Sequence, residues 1–477
     1  MTPRPLAALL ALALGCAARA PRPEGPATAD APFRYRAPPL GELLPAPEPA
    51  VRTARLGNGL EVVVAERPGA TSTEMFFVNR RGGDDTERDR PGLAALTARL
   101  VGFAVGRCDG PPGSCAGAPA RWGVDHRAAR FSGVAEPGEV GTFIRHVAAG
   151  VRGFDPSAAA FNDALGHARE EWERRGEGRQ LADLVAPAVF DDGTLYSASV
   201  AGSTEDLANL RLDRLRELFR RRYVPAHCAL VAVGRADLGE VTAWAERMLG
   251  PWTGGPPAPR PQTPATFRRG GDRVTLLEAP GRAQAGVLYA IPLRTPDAAG
   301  RAAAHVLASA MASTFSSRLL RALRVERGST YGVHASVLHF GDASVLLTEA
   351  EIEEARVGES LRAVRDGFLD VARGGLTSEE FDRARRRALV AWQAASDEDD
   401  GFTALLLDGV SEGRSPPWSP PDWVAGMDGL DAAVGNARLA AALADAEPRV
   451  FVRGDPTRLR GELEALGMGP VVTVAPE

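Results

Sequence analysis

The chain has 477 residues, of which 44% are hydrophobic and 25% charged, and its formal net charge at pH 7 is −5. These values are typical of a globular protein of two to four domains. The chain carries no basic stripe interleaved with aromatic residues, so we expect no nucleic-acid partner.

The first residues have the composition of an export signal. A short apolar run covers residues 6–14, too short to span a bilayer, and Cys16 follows it in a lipobox-like context. We predict a lipoprotein signal peptide over 1–15, cleavage before Cys16, and lipidation of Cys16. Ordinary signal cleavage near Ala18 or Ala20 is the alternative.

Residues 16–50 are rich in Pro and Ala and are expected to form a flexible tether. Ala17 is compatible with sorting to the outer membrane. The chain is therefore predicted to be a bacterial envelope protein, anchored in the outer membrane by lipid and facing the periplasm.

Three further cysteines follow. Cys108 and Cys115 bracket a turn-rich loop, and in an exported chain we predict a disulfide between them. A zinc site built on these two thiols is a weaker alternative, because no histidine is adjacent. Cys228 lies in an apolar, strand-like run and is expected to be a buried small hydrophobic residue.

Two segments far apart in the chain repeat one pattern. Apolar strands that begin at Val62 and at Val274 each lead through Glu-x-Pro-Gly into a second apolar strand. Farther on, Phe161–Trp172 matches Phe381–Trp392 in its Phe, two Ala and Trp, and a capping box begins at Thr377 before the second of these helices. The pattern predicts an internal duplication, although chance matching of Ala-rich helices could produce the second pair.

The Pro- and Gly-rich segment 251–271 is predicted to link two domains, 51–250 and 272–477. Each half alternates strand-like and amphipathic helical runs. The expected fold class is α+β, with two homologous domains that each carry a mostly antiparallel β-sheet covered by helices and that form a clamshell around a cleft.

Residues 82–100 resemble the stretch in which pitrilysin/insulinase-type zinc peptidases, the inverzincins, carry G-x-A-H-x-x-E-H. Gly92 and Ala94 match, but the two His positions hold Ala95 and Arg99, and the Glu position holds Ala98. That chemistry needs two imidazoles to hold zinc and a carboxylate to deprotonate the bound water. The resemblance therefore implies a domain with a degenerate zinc motif, no metal in this chain, and zinc in a partner subunit.

The resemblance extends over roughly residues 50–475. Leu56–Glu66 is similar to the family's opening L-x-N-G-L strand, and Phe219–Asp237 is similar to its Y-x-P stretch. Glu170 and Glu171 fall on the helix where the family places its third zinc ligand. With the other ligands missing, we expect these two carboxylates to lie on a solvated helix face.

The second half retains a further motif. Ser316–Val337 resembles the family's L-R-x-x-x-x-x-x-Y segment, with Arg324 and Tyr331 at the family spacing. In active members these residues bind the substrate backbone and stabilise the oxyanion, roles that suit a guanidinium fork and a phenolic hydroxyl. The alternative is that Arg324 is a surface helix residue and that Tyr331 packs at the start of a strand.

Other sites have little support. No two of the seven histidines have i,i+4 helical spacing, although a metal site assembled from distant histidines stays possible, and G-x-x-x-x-G-K is absent. Asp397–Asp400 is expected to be a solvated helix end or loop.

Three functions remain open. The first is an inactive subunit that pairs with an H-x-x-E-H subunit and lends Arg324 and Tyr331 to hydrolysis of peptide substrates. The second is an envelope scaffold that binds peptides by adding a strand to a sheet edge. The third, an independent enzyme with an unrecognised site, has the least support.

Overall fold

The computed structural model describes residues 50–67, 69–83, 90–106, 121–178, 184–192, 194, 196–255 and 264–475. All of them belong to one compact unit that spans Ala46–Glu477. The predicted signal peptide, the lipidated Cys16, nearly all of the tether and the predicted disulfide between Cys108 and Cys115 lie outside the described residues.

Strands and helices alternate along the described chain. The strands are β1 Val51–Arg55, β2 Glu61–Glu66, β3 Thr73–Asn79, β4 Arg121–Val124, β5 Ala129–Ala135, β6 Cys228–Gly234, β7 Val274–Glu278, β8 Gln284–Arg294, β9 His334–Phe340, β10 Ala343–Glu353, β11 Arg449–Gly454 and β12 Val471–Val474. The helices are α1 Leu93–Gly106, α2 Val140–Arg152, α3 Ala158–Gly178, α4 Val185–Val189, α5 Thr204–Ala208, α6 Leu212–Arg222, α7 Leu238–Leu249, α8 Ala298–Ala312, α9 Arg318–Leu320, α10 Val357–Gly374, α11 Ser378–Asp397, α12 Asp399–Glu412, α13 Asp422–Ala425, α14 Ala432–Ala444 and α15 Pro456–Glu464.

The described strands form two six-stranded sheets, with the orders β1-β2-β6-β3-β5-β4 and β12-β7-β11-β8-β10-β9. In the first sheet β2 and β6 run parallel, and the other pairs are antiparallel. In the second sheet β7 runs parallel to β11 and to β12, and the other pairs are antiparallel. The predicted α+β class, with two mostly antiparallel sheets covered by helices, is confirmed.

One face of each sheet packs against helices of its own half. The core of the first half contains Phe143 of α2, Val101 of α1 and Val241 of α7, all fully buried against the sheet. The core of the second half draws in the same way on α8, α10, α14 and α15. Amphipathic helices with one apolar stripe provide this cover.

The other face of each sheet is covered by the opposite half. Phe402, Leu406 and Val410 of α12, which belongs to the second half, pack against the first sheet. Val185 and Val189 of α4, which belongs to the first half, pack against the second sheet. Each half thus completes the core of the other.

Hydrogen bonds also join the two halves. Arg80 donates from Nε to the carbonyl of Val410 (2.6 Å). Arg449, buried at 1% exposure, donates from Nε to the carbonyl of Ala188 (3.0 Å). The end of the predicted linker also packs between the halves, because the backbone of Ala265 donates to Asp342 (2.9 Å).

Both predicted helical repeats are present. In α3, Phe161 and Ala164 are buried, and in α11, Phe381 and Ala384 are buried at the corresponding positions. The second helix begins with the predicted capping box, in which Thr377 accepts from the backbone of Glu380. None of the described helices has the length and apolar character needed to cross a membrane.

Candidate functional site

The degenerate motif lies at the beginning of α1. Gly92, with φ +83°, starts the helix in a conformation that favours glycine, and a Cβ there would lie 2.8 Å from the carbonyl oxygen of Ala201. Ala95 and Arg99, one helical turn apart, line a cavity of about 460 Å³. Ala98, the residue at the general-base position, is fully buried in the core of the first half.

Arg99 stands at the position of the second His in the family motif. Its guanidinium forms an ion pair with Glu171 of α3 and lies over the ring of Trp122, 5.0 Å from the centroid. The Arg99 side chain is 13% exposed. A guanidinium held between a carboxylate and an indole is stabilised by both charge and π contact.

These residues do not fit a zinc ion. Ala95 and Ala98 place methyl groups where the family has a His and the Glu. Arg99 places a permanent cation where the family has the other His, and it pairs with Glu171 on α3, the helix on which the family has its third zinc ligand. The expectation of a solvated helix face holds for Glu170, whose side chain is 66% exposed. Glu171 is 37% exposed, but α3 lies beside α1 and brings this carboxylate to Arg99, a contact that the expectation did not include.

The turn between β4 and β5 forms another wall of the cavity. Burial alone would raise the pKa of Asp125, but Arg130 and the backbone N–H groups of Ala128 and Arg127 outweigh it and lower that pKa below its usual value. Burial, helped by Arg127, lowers the pKa of His126 and outweighs the opposing charge of Asp125. The cavity therefore carries a carboxylate and a neutral imidazole at neutral pH.

Arg324 lies in a π-helical segment, Arg321–Glu326, that continues α9. Such segments are rare and occur frequently at functional sites. The carbonyl of Leu323 accepts from both the backbone N–H (2.9 Å) and the hydroxyl (3.0 Å) of Ser329. The exposed guanidinium of Arg324 lies 4.7 Å from the ring centroid of Phe315, which is itself 64% exposed.

Tyr331 follows a firmly held residue. Thr330 donates from its hydroxyl to the carbonyl of Glu351 (2.7 Å), its Oγ1 also lies 2.9 Å from the carbonyl oxygen of Gly332, and it forms an isolated bridge with Ile352. Tyr331 itself is 84% exposed. A fixed backbone therefore presents the phenol to the surroundings, so the alternative in which Tyr331 packs at the start of a strand is not what the structure shows.

The cavity at Arg99 and the residue Tyr331 lie near opposite ends of β9. Phe340, at the end of this strand, contacts His126 at a ring-centroid distance of 6.2 Å. Tyr331 precedes the beginning of the strand, and seven strand residues span roughly 20 Å. Arg324 and Tyr331 thus do not belong to the cavity that contains Arg99.

A polar cluster between α8 and β9 was not predicted from sequence. His305 and His339 share a hydrogen bond between their Nε2 atoms (3.0 Å), and Nδ1 of His339 bonds to the hydroxyl of Ser344 (2.8 Å). Burial and the neighbouring His339 lower the pKa of His305 to about 3. Burial, Arg127 and Arg301 lower the pKa of His339 to about 4, against the opposing charge of Asp422.

This pair could not be found from sequence spacing, because 34 residues separate the two histidines. Within the described part of the chain no group of three or more His, Cys, Asp or Glu side chains is arranged to hold a metal ion. Cys228 is fully buried in β6, and burial raises the pKa of its thiol, as expected for a small hydrophobic residue.

Comparisons with known proteins show similarity to one peptidase family over part of the chain. Residues 209–388 match the peptidase M16 inactive domain. An uncharacterized zinc protease of Streptomyces coelicolor is 31% identical over 211 residues, which is 43% of this chain and 46% of the relative. The chain therefore matches about half the length of this curated relative.

Solved structures share the fold over most of the chain. A putative M16-like peptidase from Alicyclobacillus acidocaldarius has a TM-score of 0.70 at 17% identity and covers 87% of this chain and 99% of its own. The periplasmic protease PqqL from Escherichia coli has a TM-score of 0.66 at 14% identity and covers 90% of this chain and 51% of its own. The resemblance to insulinase/pitrilysin-type peptidases inferred from the motifs is confirmed: residues 209–388 match the M16 inactive domain, and the fold is similar to that of M16-like peptidases.

Proposed function

We propose that this chain is the non-zinc subunit of a two-subunit M16 peptidase of the bacterial envelope. A partner subunit with H-x-x-E-H would hold the zinc ion, and this chain would contribute Arg324 and Tyr331 to a shared cleft for peptide substrates. Alone, the chain would be a pseudoenzyme, and metalloendopeptidase activity would need the partner.

The observation that carries this proposal is the exposure of Tyr331 on a fixed loop. The residue is 84% exposed, and the cavity at Arg99 lies at the other end of β9. An exposed phenol and an exposed guanidinium suit a site that another chain completes. There the guanidinium would bind a substrate carbonyl, and the phenolic O–H would donate to the oxyanion.

The location is proposed from the sequence and one structural relative. The apolar run before Cys16 is typical of a lipoprotein signal. The fold is shared with a periplasmic protease. These two observations support anchoring in the outer membrane by lipid, with the folded part in the periplasm.

The test is purification of the tagged chain from its own membranes, with mass spectrometry of whatever accompanies it in equal amount. A partner of similar size that contains H-x-x-E-H is expected. Recovery of the chain alone, or with an unrelated envelope protein, contradicts the proposal.

The role of Tyr331 is then tested in the reconstituted pair. Tyr331→Phe removes one donor to the oxyanion and should lower kcat by about 10²-fold while the assembled mass stays unchanged. Val434→Ala, on the surface of α14, is the matched control and should leave kcat unchanged. Full activity of the Tyr331→Phe complex removes this residue from the mechanism.

A second candidate function, an envelope scaffold that binds peptides, is favoured by the edge strand β4. Among the described residues β4 pairs with β5 alone, and Trp122, Gly123 and Val124 line the cavity at Arg99. Among the described residues, apart from Gly123 and its two chain neighbours, no atom lies within 4 Å of a Cβ built on Gly123, so another backbone can approach there. This function predicts peptide binding that survives a chelator, and zinc-dependent turnover by a reconstituted pair contradicts it.

A further inference from the structure

The two helices that each pack on the sheet of the opposite half, α12 and α4, differ in length. On the first sheet α12 has 14 residues, about 21 Å of helix, whereas α4 on the second sheet has five residues, about 7.5 Å. The longer helix reaches the edge strand β1, because Val51 is 7% exposed and belongs to the same apolar cluster as Phe402 and Leu406.

On the second sheet the cover stops two strands short of the edge. The cluster beneath α4 includes Leu288 of β8 and Phe451 of β11, but it contains no side chain of β7 or β12. The register places Thr275 and Val472 in the same row across the sheet as Phe451. These outer strands therefore present side chains on a face that α4 does not cover.

A cavity of about 610 Å³ lies against the part of β7 and β12 that α4 does not cover. Its apolar wall combines Phe451, Val472 and Val474 of the second half with Trp172 and Leu184 of the first. The volume lies within the range of roughly 300–1,000 Å³ that is usual for ligand sites, and an apolar wall with a few polar groups is their usual lining.

Two features of the cavity indicate a polypeptide ligand. β12 is an edge strand among the described residues, so its outer backbone groups are available to an extended chain. Arg268 lines the cavity, and its side chain is 37% exposed and paired with Asp192. A guanidinium has five N–H donors, so it can donate to a peptide carbonyl as well as to this carboxylate.

The cavity also adjoins the one that contains Arg99. Trp172, Pro187, Ala198 and Ser199 line both cavities. A ligand long enough to occupy the two in succession must be extended, which favours a polypeptide over a compact small molecule.

We propose that the cavity beneath β12 binds alternate apolar side chains of an extended polypeptide laid along that strand. The inference takes from the proposed function only the class of substrate, a polypeptide. It is tested on the chain without any partner subunit, so failure of subunit pairing or of the Tyr331 role leaves the test intact.

The probes are two fluorescein-labelled dodecapeptides of Gly and Ser. One carries Leu at three alternate positions, and the other carries Ser there. Fluorescence anisotropy with the purified full chain should show the Leu peptide binding at least about tenfold more tightly, because alternate side chains of a strand point to one face. Equal binding of the two peptides, or no binding of either, overturns the proposal.

Site-directed variants test whether the peptide binds in this cavity. Val474→Trp and Val472→Trp each fill the cavity from a short edge strand and should weaken binding of the Leu peptide about tenfold or more. Val434→Trp, on α14 and 45% exposed, is the matched control and should bind as the wild type does. Thermal melting of all three proteins establishes that they are folded.

Two outcomes contradict the assignment. Binding by both cavity variants that equals that of Val434→Trp would place the peptide elsewhere. Binding of the apolar dye 1-anilinonaphthalene-8-sulfonate that Val474→Trp abolishes, without any peptide binding, would assign a small apolar ligand instead.

Discussion

The two halves share a sheet but differ at its edge. β2, β6, β3, β5 and β4 of the first half correspond in order and direction to β7, β11, β8, β10 and β9 of the second. The sixth strand differs, because β1 enters antiparallel to β2 whereas β12 runs parallel to β7. The shared strands carry the duplication, and the edge strand is where each half departs from the other.

The halves also differ in where their polar residues lie. In the first half the motif of α1 is folded inward, with Arg99 bound to Glu171 beneath Trp122. In the second half Arg324 and Tyr331 are exposed on a π-helical segment and the loop after it. A domain can thus lose its metal chemistry and keep its core, because ligand positions on a helix surface contribute little to the packing beneath them.

The largest expected effect comes from restoring two ligands in the first half. Ala95→His together with Arg99→His places two imidazoles one helical turn apart, facing Glu171, and should bind about one zinc ion per chain, worth on the order of 10 kcal/mol. Metal analysis after dialysis measures it. Ala95→His alone, which retains the guanidinium, is the control and should bind none. Absence of zinc in the double variant would mean that α1 and α3 no longer have the spacing of a metal site.

The exchanged helix α12 provides the next test. Leu406 is 1% exposed against the first sheet, and Leu406→Ala should lower the free energy of unfolding by about 3 kcal/mol. Urea unfolding followed by circular dichroism measures it. Leu369→Ala, at a leucine that is 38% exposed, should change stability by less than about 1 kcal/mol. Equal effects would show that α12 is not an integral cover of the first half.

The histidine pair of the second half makes stability depend on pH. The pKa values of about 3 for His305 and about 4 for His339 lie below the ordinary 6.5, so the unfolded chain binds more protons as pH falls below 6.5. Stability should therefore fall from pH 6.5 toward pH 4.

Replacing one member of the pair isolates this contribution. His339→Gln should reduce the loss between pH 6.5 and pH 5 by about 2 kcal/mol, measured by urea unfolding at each pH. His334→Gln, at an exposed position of the same strand, should keep the wild-type dependence. A wild-type pH profile for His339→Gln would exclude the pair as its source.

The smallest effect concerns the ion pair between Arg99 and Glu171. A double-mutant cycle of Arg99→Ala and Glu171→Gln should give a coupling of about 1 kcal/mol, since Glu171 is partly exposed and solvent screens the pair. The exposed pair of Arg383 and Glu379 on α11 is the reference and should give less than about 0.5 kcal/mol. Equal couplings would mean that the inward position of Arg99 adds nothing to the interaction.

The repeated strands and helices and the fold class were predictable because each depends on local pattern. Strand–turn–strand periodicity at Val62 and Val274 gives β2 and β7, and the capping box at Thr377 starts α11. The residue types at Ala95, Ala98 and Arg99 exclude metal binding without any structure, because none of them can supply a ligand.

The partners of Arg99 and of His305 could not be predicted in the same way. Glu171 lies 72 residues beyond Arg99, and His339 lies 34 residues beyond His305. Neither separation corresponds to a helical or strand repeat. Packing of α3 beside α1, and of α8 beside β9, brings these groups together.

The sequence by itself determined the repeated strand and helix pattern, the absence of His and Glu at Ala95, Ala98 and Arg99, and the spacing of Arg324 and Tyr331. Each of these depends only on residues that are close together in the chain. The tertiary structure alone decided that α12 and α4 are exchanged between the halves, that Glu171 meets Arg99, and that Tyr331 is exposed while a cavity lies beneath β12. The physical reason is that burial and ion pairing depend on which distant surfaces meet, and that follows from how the sheets and helices pack rather than from the residues adjacent in the chain.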